Sequence, residues 1–385
     1  MKKVLLGFAV VGMLLSACQK EDQIMKTDSN QTMNQTVPGQ YVVVLKPSTN
    51  KSFNSLNYTQ KVQFVKEEAK QVVAKYDISE DAVQLAYGTA LRGFSAKLSD
   101  NELKQLKNDN RIDYIVPDKV FILKKPVPEP PPPTGEDVPY GIARVGTGDG
   151  TGKTAWIIDT GIDFDHPDLN VNVSKAAVFT RDKTADDNNG HGSHCAGTVA
   201  AIDNEFGVIG VAAGATVVPV KVLDRRGSGY YSWIIAGVDY VAANAASGDA
   251  ANMSLGGGVY QPIDDAVYAA SQKGIYFALA AGNESDDALN HSPARVNGPN
   301  IWTVSAMDVN DNFAYFSNYG TPVDFCMPGV SVYSTFKNGG YTTYSGTSMA
   351  APHMCGVLLM TNGHPSTDGY VNNDPDGDAD PIGHL

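Results

Sequence analysis

The sequence predicts an α/β protein, a parallel sheet covered by helices on both faces, preceded by a small α+β domain. Apolar strands alternate with helices over residues 137–385, a pattern typical of a doubly covered parallel sheet. Residues 40–124 follow the order strand, helix, strand, strand, helix, strand, which is the split βαβ arrangement. Five prolines within residues 128–133 predict an extended linker at residues 125–136 between the two domains.

The N-terminus has the pattern of a targeting segment. Lys2 and Lys3 precede an apolar stretch, Val4 to Leu15, that is too short to span a bilayer comfortably. Small residues then lead to Cys18, which resembles a bacterial lipoprotein signal. We therefore expect residues 1–17 to be a signal peptide and Cys18 to carry a lipid that anchors an exported protein in the outer membrane or at the cell surface. A plain secretory signal is the alternative, and the polar residues 18–39 are predicted to be a tether.

Composition and charge exclude some partners. The 385 residues are 42% hydrophobic and carry a net charge of −13, which argues against nucleic acid binding. Residues 40–125 hold 14 Lys and Arg against 10 Asp and Glu, whereas residues 126–385 hold 11 against 29. A basic domain beside an acidic one predicts that the two attract each other.

The elements of the small domain follow from apolar periodicity and capping patterns. They are predicted as strand 40–46, helix 61–76, strands 83–87 and 93–98, helix 99–106 and strand 112–116.

In the large domain, β-branched and apolar runs predict strands that are separated by amphipathic helices. They are strands 154–158, 217–222, 251–255, 276–280 and 301–305, with helices 231–244 and 263–272.

Three polar residues stand out in this frame. Asp159 follows a buried strand, where a carboxylate needs a partner. His191 lies between glycines at the start of a small-residue helix. Ser348 stands at the N-terminus of a predicted buried helix that contains the apolar run Val357 to Met360, and free N–H groups at such an end suit a developing oxyanion. Taken singly, Asp159 and Ser348 also fit helix caps.

Together these residues have the order Asp, His, Ser that is found in subtilisin. The motifs Asp159-Thr160-Gly161, His191-Gly192-Ser193-His194 and Gly346-Thr347-Ser348-Met349-Ala350 resemble those of a subtilisin-family serine protease. The segment His194-Cys195-Ala196-Gly197-Thr198 is similar to the proteinase K branch. No Gly-x-Ser-x-Gly surrounds Ser348, which argues against an esterase elbow.

The resemblance implies a serine endopeptidase that acts on protein or peptide substrates, is made as a self-processed zymogen and needs no cofactor for catalysis. Ser348 would be the nucleophile, His191 the general base, Asp159 its orienting acid and Asn283 an oxyanion donor. Residues 40–124 would be an intramolecular inhibitor, cleaved between Phe121 and Asp137. A monomer is expected.

The resemblance also implies binding sites for substrate and metal. Gly227 and Gly229 would pair with the substrate backbone opposite Ser254, Leu255 and Gly256. Structural Ca²⁺ is expected from five ligands that are oxygen donors. They are the side chains of Asp168 and Asn204 and the carbonyls of Ile202, Phe206 and Val208.

The sequence leaves several alternatives open. A catalytically silent surface binding protein is possible on the same fold, and an esterase or peptide ligase could use the same acyl-enzyme. His191 and His194 have the spacing of a zinc pair but lack a third ligand. Pairing of Cys326 with Cys355 is open, while Cys195 makes an odd thiol. The acidic tail, residues 374–380, is expected to be solvated.

Overall fold

A computed structural model describes residues 35–48, 50–123 and 135–385. The predicted signal peptide, the tether up to residue 34, Cys18 and most of the linker lie outside the described residues. Within the described residues, no helix combines the length and the apolar character needed to cross a membrane.

The N-terminal domain has the predicted split βαβ order. Its elements are strand β1 Thr36–Leu45, helix α1 Tyr58–Ala74, strands β2 Val83–Tyr87 and β3 Gly93–Lys97, helix α2 Asp100–Leu106 and strand β4 Ile112–Ile122, with single 3₁₀ turns at Lys51–Ser55 and Glu80–Ala82. Both helices begin with a capping box, from Asn57 and Ser99, which satisfies the first free N–H groups. The strands lie in the order β4-β1-β3-β2, and both helices contribute apolar residues to one core.

Two strands of this domain are longer than predicted. Strand β1 begins at Thr36 instead of Gln40, and β4 continues from the predicted end at Val116 to Ile122. The extension of β4 carries it into the second domain, because Val120, Phe121 and Ile122 pair with a strand there. That partner cannot be read from local sequence.

The C-terminal domain is built on a 10-stranded sheet. Its strands are β7 Thr154–Asp159, β8 Asn170–Val171, β9 Ala177–Val178, β12 Thr216–Lys221, β14 Ala250–Met253, β16 Tyr276–Ala280, β18 Ile301–Met307, β19 Phe325–Pro328, β22 Ser366–Tyr370 and β23 Pro381–His384. The short strands are β5 Glu136–Asp137, β6 Gly148–Asp149, β10 Gly207–Val208, β11 Ala212–Ala213, β13 Ser228–Tyr230, β15 Gly257–Gly258, β17 His291–Ser292, β20 Val332–Phe336 and β21 Gly340–Tyr344. The helices are α3 Tyr140–Val145, α4 His191–Ala200, α5 Tyr231–Asn244, α6 Gln261–Ser271 and α7 Thr347–Thr361, with 3₁₀ turns at Val173–Lys175 and Ala288–Asn290.

The centre of this sheet is parallel, in the order β12-β7-β14-β16-β18-β19. Alternate residues of β7 enter different cores. Trp156 and Ile158 pack with α5 and α6 on one face, while Ala155 and Ile157 pack with α4 and α7 on the other. The predicted coverage on both faces is therefore confirmed. All parallel strands end at one edge, where groups that follow them meet.

The C-terminal tail differs from the prediction of a solvated acidic end. Strand β23 adds to the sheet beside β19, and Asp380 is only 7% exposed. The Ser305 hydroxyl donates to Asp380 Oδ2 at 2.6 Å, and burial raises the pKa of Asp380 to about 7. Asp376 and Asp378 are exposed as expected. The prediction was wrong for Asp380 because its partner lies 75 residues away in the chain.

Candidate active site

Asp159 and His191 form a buried pair at the carboxyl edge of the sheet. Asp159 is the last residue of β7 and His191 the first of α4. His191 Nδ1 lies 2.8 Å from Asp159 Oδ1 and 2.9 Å from Oδ2, and the Thr160 N–H also donates to Oδ1 at 2.6 Å. A Cβ at residue 192 would lie 2.1 Å from the Gly161 carbonyl oxygen, so glycine is required for this approach.

The protonation of His191 is governed by two opposing effects. Burial lowers its pKa, but the neighbouring Asp159 carboxylate and, after it, the Cys195 sulfur favour the charged imidazole and together outweigh burial. The net result is a pKa well above the usual value for histidine. Asp159 therefore both orients the ring and stabilises its cation.

Ser348 reaches the same place from the N-terminus of α7. Its hydroxyl donates to the Ser254 carbonyl at 3.2 Å, while the Ser254 hydroxyl donates to the Ser348 carbonyl at 2.7 Å. The Cys195 thiol lies between the two elements, 4.0 Å from His191 Nδ1 and 3.5 Å from the Ser348 carbonyl. Within the described residues, the Ser348 hydroxyl makes no hydrogen bond to His191.

Asn283 follows strand β16 and lines the same cavity as His191 and Ser348. Its Oδ1 accepts from the Thr347 N–H at 2.8 Å and from the Thr347 hydroxyl at 3.2 Å. These two bonds fix the orientation of the amide, so its NH₂ group points away from Thr347. Thr347, Ser348 and Met349, at the start of α7, line the same cavity of about 380 Å³.

The N-terminal domain enters this cavity through the end of β4. Ser228, Gly229 and Tyr230 pair with Ile122, Phe121 and Val120 in antiparallel register. The Leu123 N–H then donates to the Gly227 carbonyl at 2.8 Å, and both Phe121 and Leu123 line the cavity. A Cβ at residue 229 would lie 2.3 Å from the Val222 carbonyl oxygen, so the strand requires glycine there.

The opposite wall of the cavity contains the other predicted substrate-binding residues. Ser254, Leu255 and Gly256, which follow β14, all line it. Three of the five predicted substrate-binding residues thus line the cavity with Ser348, whereas Gly227 and Gly229 are bonded to Leu123 and paired with Phe121, which line it. Gly257 and Gly258, which follow, form the short strand β15 that pairs with β17, and they are not part of the cavity wall.

Two carboxylates dock the N-terminal domain on helix α5. Asp239 of α5 is fully buried and accepts from the backbone N–H groups of Gly88 at 3.0 Å and of Thr89 and Ala90 at 2.6 Å each. The second carboxylate belongs to the N-terminal domain: Asp118 Oδ1, on β4, accepts from the N–H of Ser232 at the start of α5, at 3.1 Å. Burial raises the pKa of both carboxyls, that of Asp118 to about 6. These bonds join carboxylates to backbone, so the excess of basic residues in the N-terminal domain does not explain them.

Asp187 is a site residue that the sequence analysis missed. It is buried and accepts from the N–H groups of Asn189, Gly190 and Ser193 at 2.8–2.9 Å and from the hydroxyls of Ser193 and Thr160 at 2.7 and 3.0 Å. It therefore holds the turn before His191 against the residue after Asp159. An acid four residues before the histidine at a helix start was the available signal.

The predicted calcium loop is assembled around Asp168, which is fully buried. Its carboxylate accepts from Asn204 Nδ2 at 2.8 Å and from the Val208 N–H at 3.0 Å, and burial raises its pKa. Glu136 Oε1 also reaches the loop, where it accepts from the Asn204 N–H at 2.5 Å. The side-chain oxygens of the loop are those of Asp168, Glu136 and the Asn204 amide, whose Oδ1 accepts from the Phe206 N–H at 2.8 Å. Within the described residues no salt bridge reaches Asp168. Such an oxygen-rich set fits Ca²⁺.

The alternative zinc pair is not assembled. His194 Nε2 lies 3.1 Å from the Val332 carbonyl and its ring stacks on Tyr344, while His191 Nδ1 is held by Asp159. Burial lowers the pKa of His194 to about 3, so this ring is neutral. Cys195, Cys326 and Cys355 are all buried free thiols, which settles the open question of a disulfide between the last two.

Comparisons with known proteins agree with this geometry. A family model of the subtilases matches residues 150–370, and a model of peptidase inhibitor I9 matches residues 40–124. Alkaline serine exoprotease A of Vibrio alginolyticus is 39% identical over 312 residues, which cover 77% of this chain and 56% of the relative. The chain therefore spans little more than half the length of that relative.

Two further matches are more complete. Alkaline serine protease ver112 of Corniculantispora psalliotae is 36% identical over 316 residues, covering 78% of this chain and 79% of the relative. The crystal structure of a cold adapted subtilisin-like serine proteinase superposes with a TM-score of 0.57 at 36% identity, covering 63% of this chain and 96% of that one. This chain belongs to the subtilase family of serine proteases and carries an I9 inhibitor prodomain ahead of its protease domain.

Proposed function

We propose that this subtilase is an endopeptidase whose nucleophile is Ser348, activated by His191 and Asp159. The observation that carries the proposal is the convergence of Ser348, the Asp159–His191 pair and Asn283 on one cavity into which the end of β4 runs. A strand in that position is bound by its backbone, which any extended peptide can offer.

In the proposed reaction, the Ser348 hydroxyl turns from the Ser254 carbonyl toward His191 and transfers its proton to the imidazole as the oxygen attacks the peptide carbonyl. Asp159 stabilises the resulting imidazolium. The Asn283 amide and the Ser348 N–H donate to the oxyanion. His191 then returns the proton to the leaving amine, and the acyl-enzyme is hydrolysed by a water that His191 deprotonates.

We further propose that the prodomain is removed by self-cleavage after Leu123. Residues from Val120 to Leu123 are all bonded to the strand Gly227 to Tyr230, so they occupy the side of the cleft that precedes the scissile bond. Within the range predicted from the sequence, residues 121–137, the proposed cleavage site is therefore the peptide bond directly after Leu123. The four strand contacts would also make the cleaved prodomain a competitive inhibitor.

Calcium binding is proposed at the loop around Asp168. Asp168 and Asn204 would supply side-chain oxygens and Ile202, Phe206 and Val208 their carbonyls, with Glu136 as an added ligand that the sequence analysis missed. The ion would neutralise the buried Asp168 and tie strand β5 to the loop. We expect chelation with EGTA to lower the midpoint of thermal unfolding by several degrees, and Asp168→Asn to abolish that response.

Export and anchoring rest on the N-terminal sequence alone. We propose that residues 1–17 direct export, that Cys18 receives a lipid and that cleavage after Leu123 frees a monomeric protease domain from that anchor. Substitution of Cys18 by Ser should then move the uncleaved protein from the membrane fraction to the soluble one, without changing the activity of the mature enzyme.

The central test compares the chain beginning at Met25 as wild type and as Ser348→Ala. Intact mass spectrometry should show a cut after Leu123 in the wild type only. If both proteins fold and stay whole, self-processing is wrong, and a silent surface binding protein on this fold becomes the better account.

A further inference from the structure

Lys221 is a lysine whose side chain lies wholly inside the protease domain. Its exposed fraction is 0%, and within the described residues it is the only lysine or arginine that is buried. A buried ammonium group is costly unless its charge and its N–H donors are satisfied. The reaction proposed above does not use this group, so its partners must indicate what it does.

The sheet places Lys221 beside Asp159. Strands β12 and β7 are parallel and in register, so their last residues, Lys221 and Asp159, are neighbours. Earlier in the same strands, Val217 and Ile157 pack in the core formed with α4 and α7. Because side chains alternate along a strand, Lys221 and Asp159 extend on that same face, where α4 begins with His191. The ammonium group and the catalytic pair therefore lie on one side of the sheet.

The ammonium group of Lys221 is bonded to the residue that follows Asp159. Its Nζ donates to the Thr160 carbonyl. The Thr160 N–H donates to Asp159 Oδ1 at 2.6 Å, and the Thr160 hydroxyl donates to Asp187 at 3.0 Å and accepts from the Gly192 N–H at 2.9 Å. Lys221 therefore fixes the carbonyl end of the residue whose N–H holds the Asp159 carboxylate.

The charge of Lys221 is only partly neutralised by an ion pair. Asp182 Oδ2 lies 3.4 Å from Lys221 Nζ, and within the described residues this oxygen accepts no hydrogen bond. The side chain of Asp182 is 28% exposed, whereas that of Lys221 is not exposed at all. Because water screens the carboxylate more than the ammonium group, part of the positive charge is left to act on the Asp159–His191 pair.

The other titratable groups around the start of α4 are carboxylates or groups that are neutral near pH 7. They are Asp159 of β7, Asp187 of the turn before α4, His194 and Cys195 of α4, Tyr344 of β21 and His353 of α7. Burial lowers the pKa of His194 to about 3 and that of His353 to about 4, and it raises the pKa of the Cys195 thiol. Lys221 is thus the permanent cation of this set.

We propose that Lys221 is a positioning residue for the peptidase reaction, which fixes Thr160 behind Asp159 and holds a buried positive charge beside the Asp159–His191 pair. This inference rests on the proposed function, since it requires His191 to be the general base. A cation near the pair favours the neutral imidazole, which is the form that accepts the Ser348 proton. Lys221 should therefore keep the enzyme active at a lower pH than the pair alone would allow.

The test compares the self-processed full chain as wild type, Lys221→Met, Lys221→Arg, Asp182→Asn and Lys183→Met. Lys221→Met removes the charge from a long side chain, whereas Lys221→Arg keeps the charge. Asp182→Asn removes the ion-pair partner of Lys221. Lys183→Met is the matched control, because Lys183 is an exposed lysine next to Asp182 in the chain. The value of kcat/KM for one p-nitroanilide peptide is recorded against pH in about 0.5 M NaCl, which screens exposed charges.

The measured quantity is the pH at which kcat/KM falls to half on the acidic side, because this midpoint reports the pKa of the base in the free enzyme. We expect Lys221→Met to raise the midpoint by about half to one pH unit and to lower the maximal kcat/KM by about 10- to 100-fold. Asp182→Asn should lower the midpoint, because Lys221 is then less neutralised. Lys221→Arg and Lys183→Met should leave it in place.

An acidic midpoint that is unchanged in both Lys221→Met and Asp182→Asn would overturn the inference, and so would an equal shift in Lys183→Met. A merely structural residue would alter the rate and the temperature of unfolding but not this pH. If Lys221→Met fails to fold or mature, the sign of the shift in Asp182→Asn decides, since that side chain is partly exposed. The proposed function fails separately, if the wild type cleaves no peptide or has no acidic midpoint.

Discussion

Asp159, at the carboxyl edge of the large sheet, and Asp239, on helix α5 beneath the prodomain, are both fully buried carboxylates. Asp159 is bonded by an imidazole of its own domain, and Asp239 accepts hydrogen bonds from four backbone N–H groups of the other domain. The first environment does not depend on the prodomain, because Asp159 and His191 belong to the same domain. The second would end on the proposed removal of the prodomain, when water takes the place of the N–H groups. One kind of buried acid can thus serve chemistry or conditional docking, depending on which chain segment supplies its donors.

The largest effect should come from removing the charge at the permanent site. Asp159→Asn keeps the shape but loses stabilisation of the imidazolium, so we expect kcat to fall by about 10⁴-fold. Asp159 also raises the pKa of His191, and only the neutral ring acts as base. Activity of the wild type should therefore be lost as pH falls through that raised pKa, and the residual activity of Asp159→Asn should persist to lower pH. Equal pH profiles for the two would contradict this role.

Removal of the proposed oxyanion donor should have the next largest effect. For Asn283→Ala we expect kcat to fall by about 10²- to 10³-fold with little change in KM. Asn283 also accepts from Thr347, so thermal unfolding of both forms should be recorded. A loss of activity explained by a lower unfolding midpoint, or an unchanged kcat, would remove Asn283 from the reaction.

At the docking site, Asp239→Asn should weaken binding of the prodomain without changing the catalytic activity of the protease domain. Hydrogen bonds to a charged group contribute about 1.5–3 kcal/mol, so release of the cleaved prodomain should be about 10- to 100-fold faster. The measurement is the lag between self-cleavage and full peptidase activity, with the exposed Asp376→Asn as control. Equal lags in all three proteins would show that the bonds to Asp239 do not govern release.

The smallest expected effect is a pH dependence of release through Asp118. Its pKa is raised to about 6 in the docked state by burial, against about 4 for a solvated Asp. The proton on Asp118 therefore stabilises docking below about pH 4, and that stabilisation is lost as pH rises through 6. After incubation at pH 5 to 8 and assay at pH 8, the lag should shorten with rising incubation pH by about tenfold. Asp118→Asn should show a flatter dependence, and an identical one would contradict this sign.

The same comparison shows what local sequence could predict. Asp159, His191, Ser348 and Asn283 each stand at the end of a strand or the start of a helix, within motifs of a few residues, so their meeting at one edge follows from the parallel sheet. Most of the secondary structure was predicted for the same reason, since apolar periodicity is local. Helix 231–244 and strand 276–280 have the predicted bounds.

The groups that escaped prediction have distant partners or partners without a sequence signature. Asp239 binds backbone N–H groups about 150 residues away, and any residue type could supply them. Glu136 meets Asn204 only because β5 pairs with β10. Asp380 is buried by a strand that joins the edge of the sheet, although its own segment is as acidic as a solvated tail.

The most direct test of the central claim is labelling of the self-processed enzyme with a fluorophosphonate, followed by peptide mapping. The account predicts one phosphonyl group per protease domain, on Ser348, with labelling slowed strongly in Asp159→Asn and absent in Ser348→Ala. Stoichiometric labelling of another residue, or a folded and processed wild type that takes up no label, would contradict the assignment of Ser348 as the nucleophile.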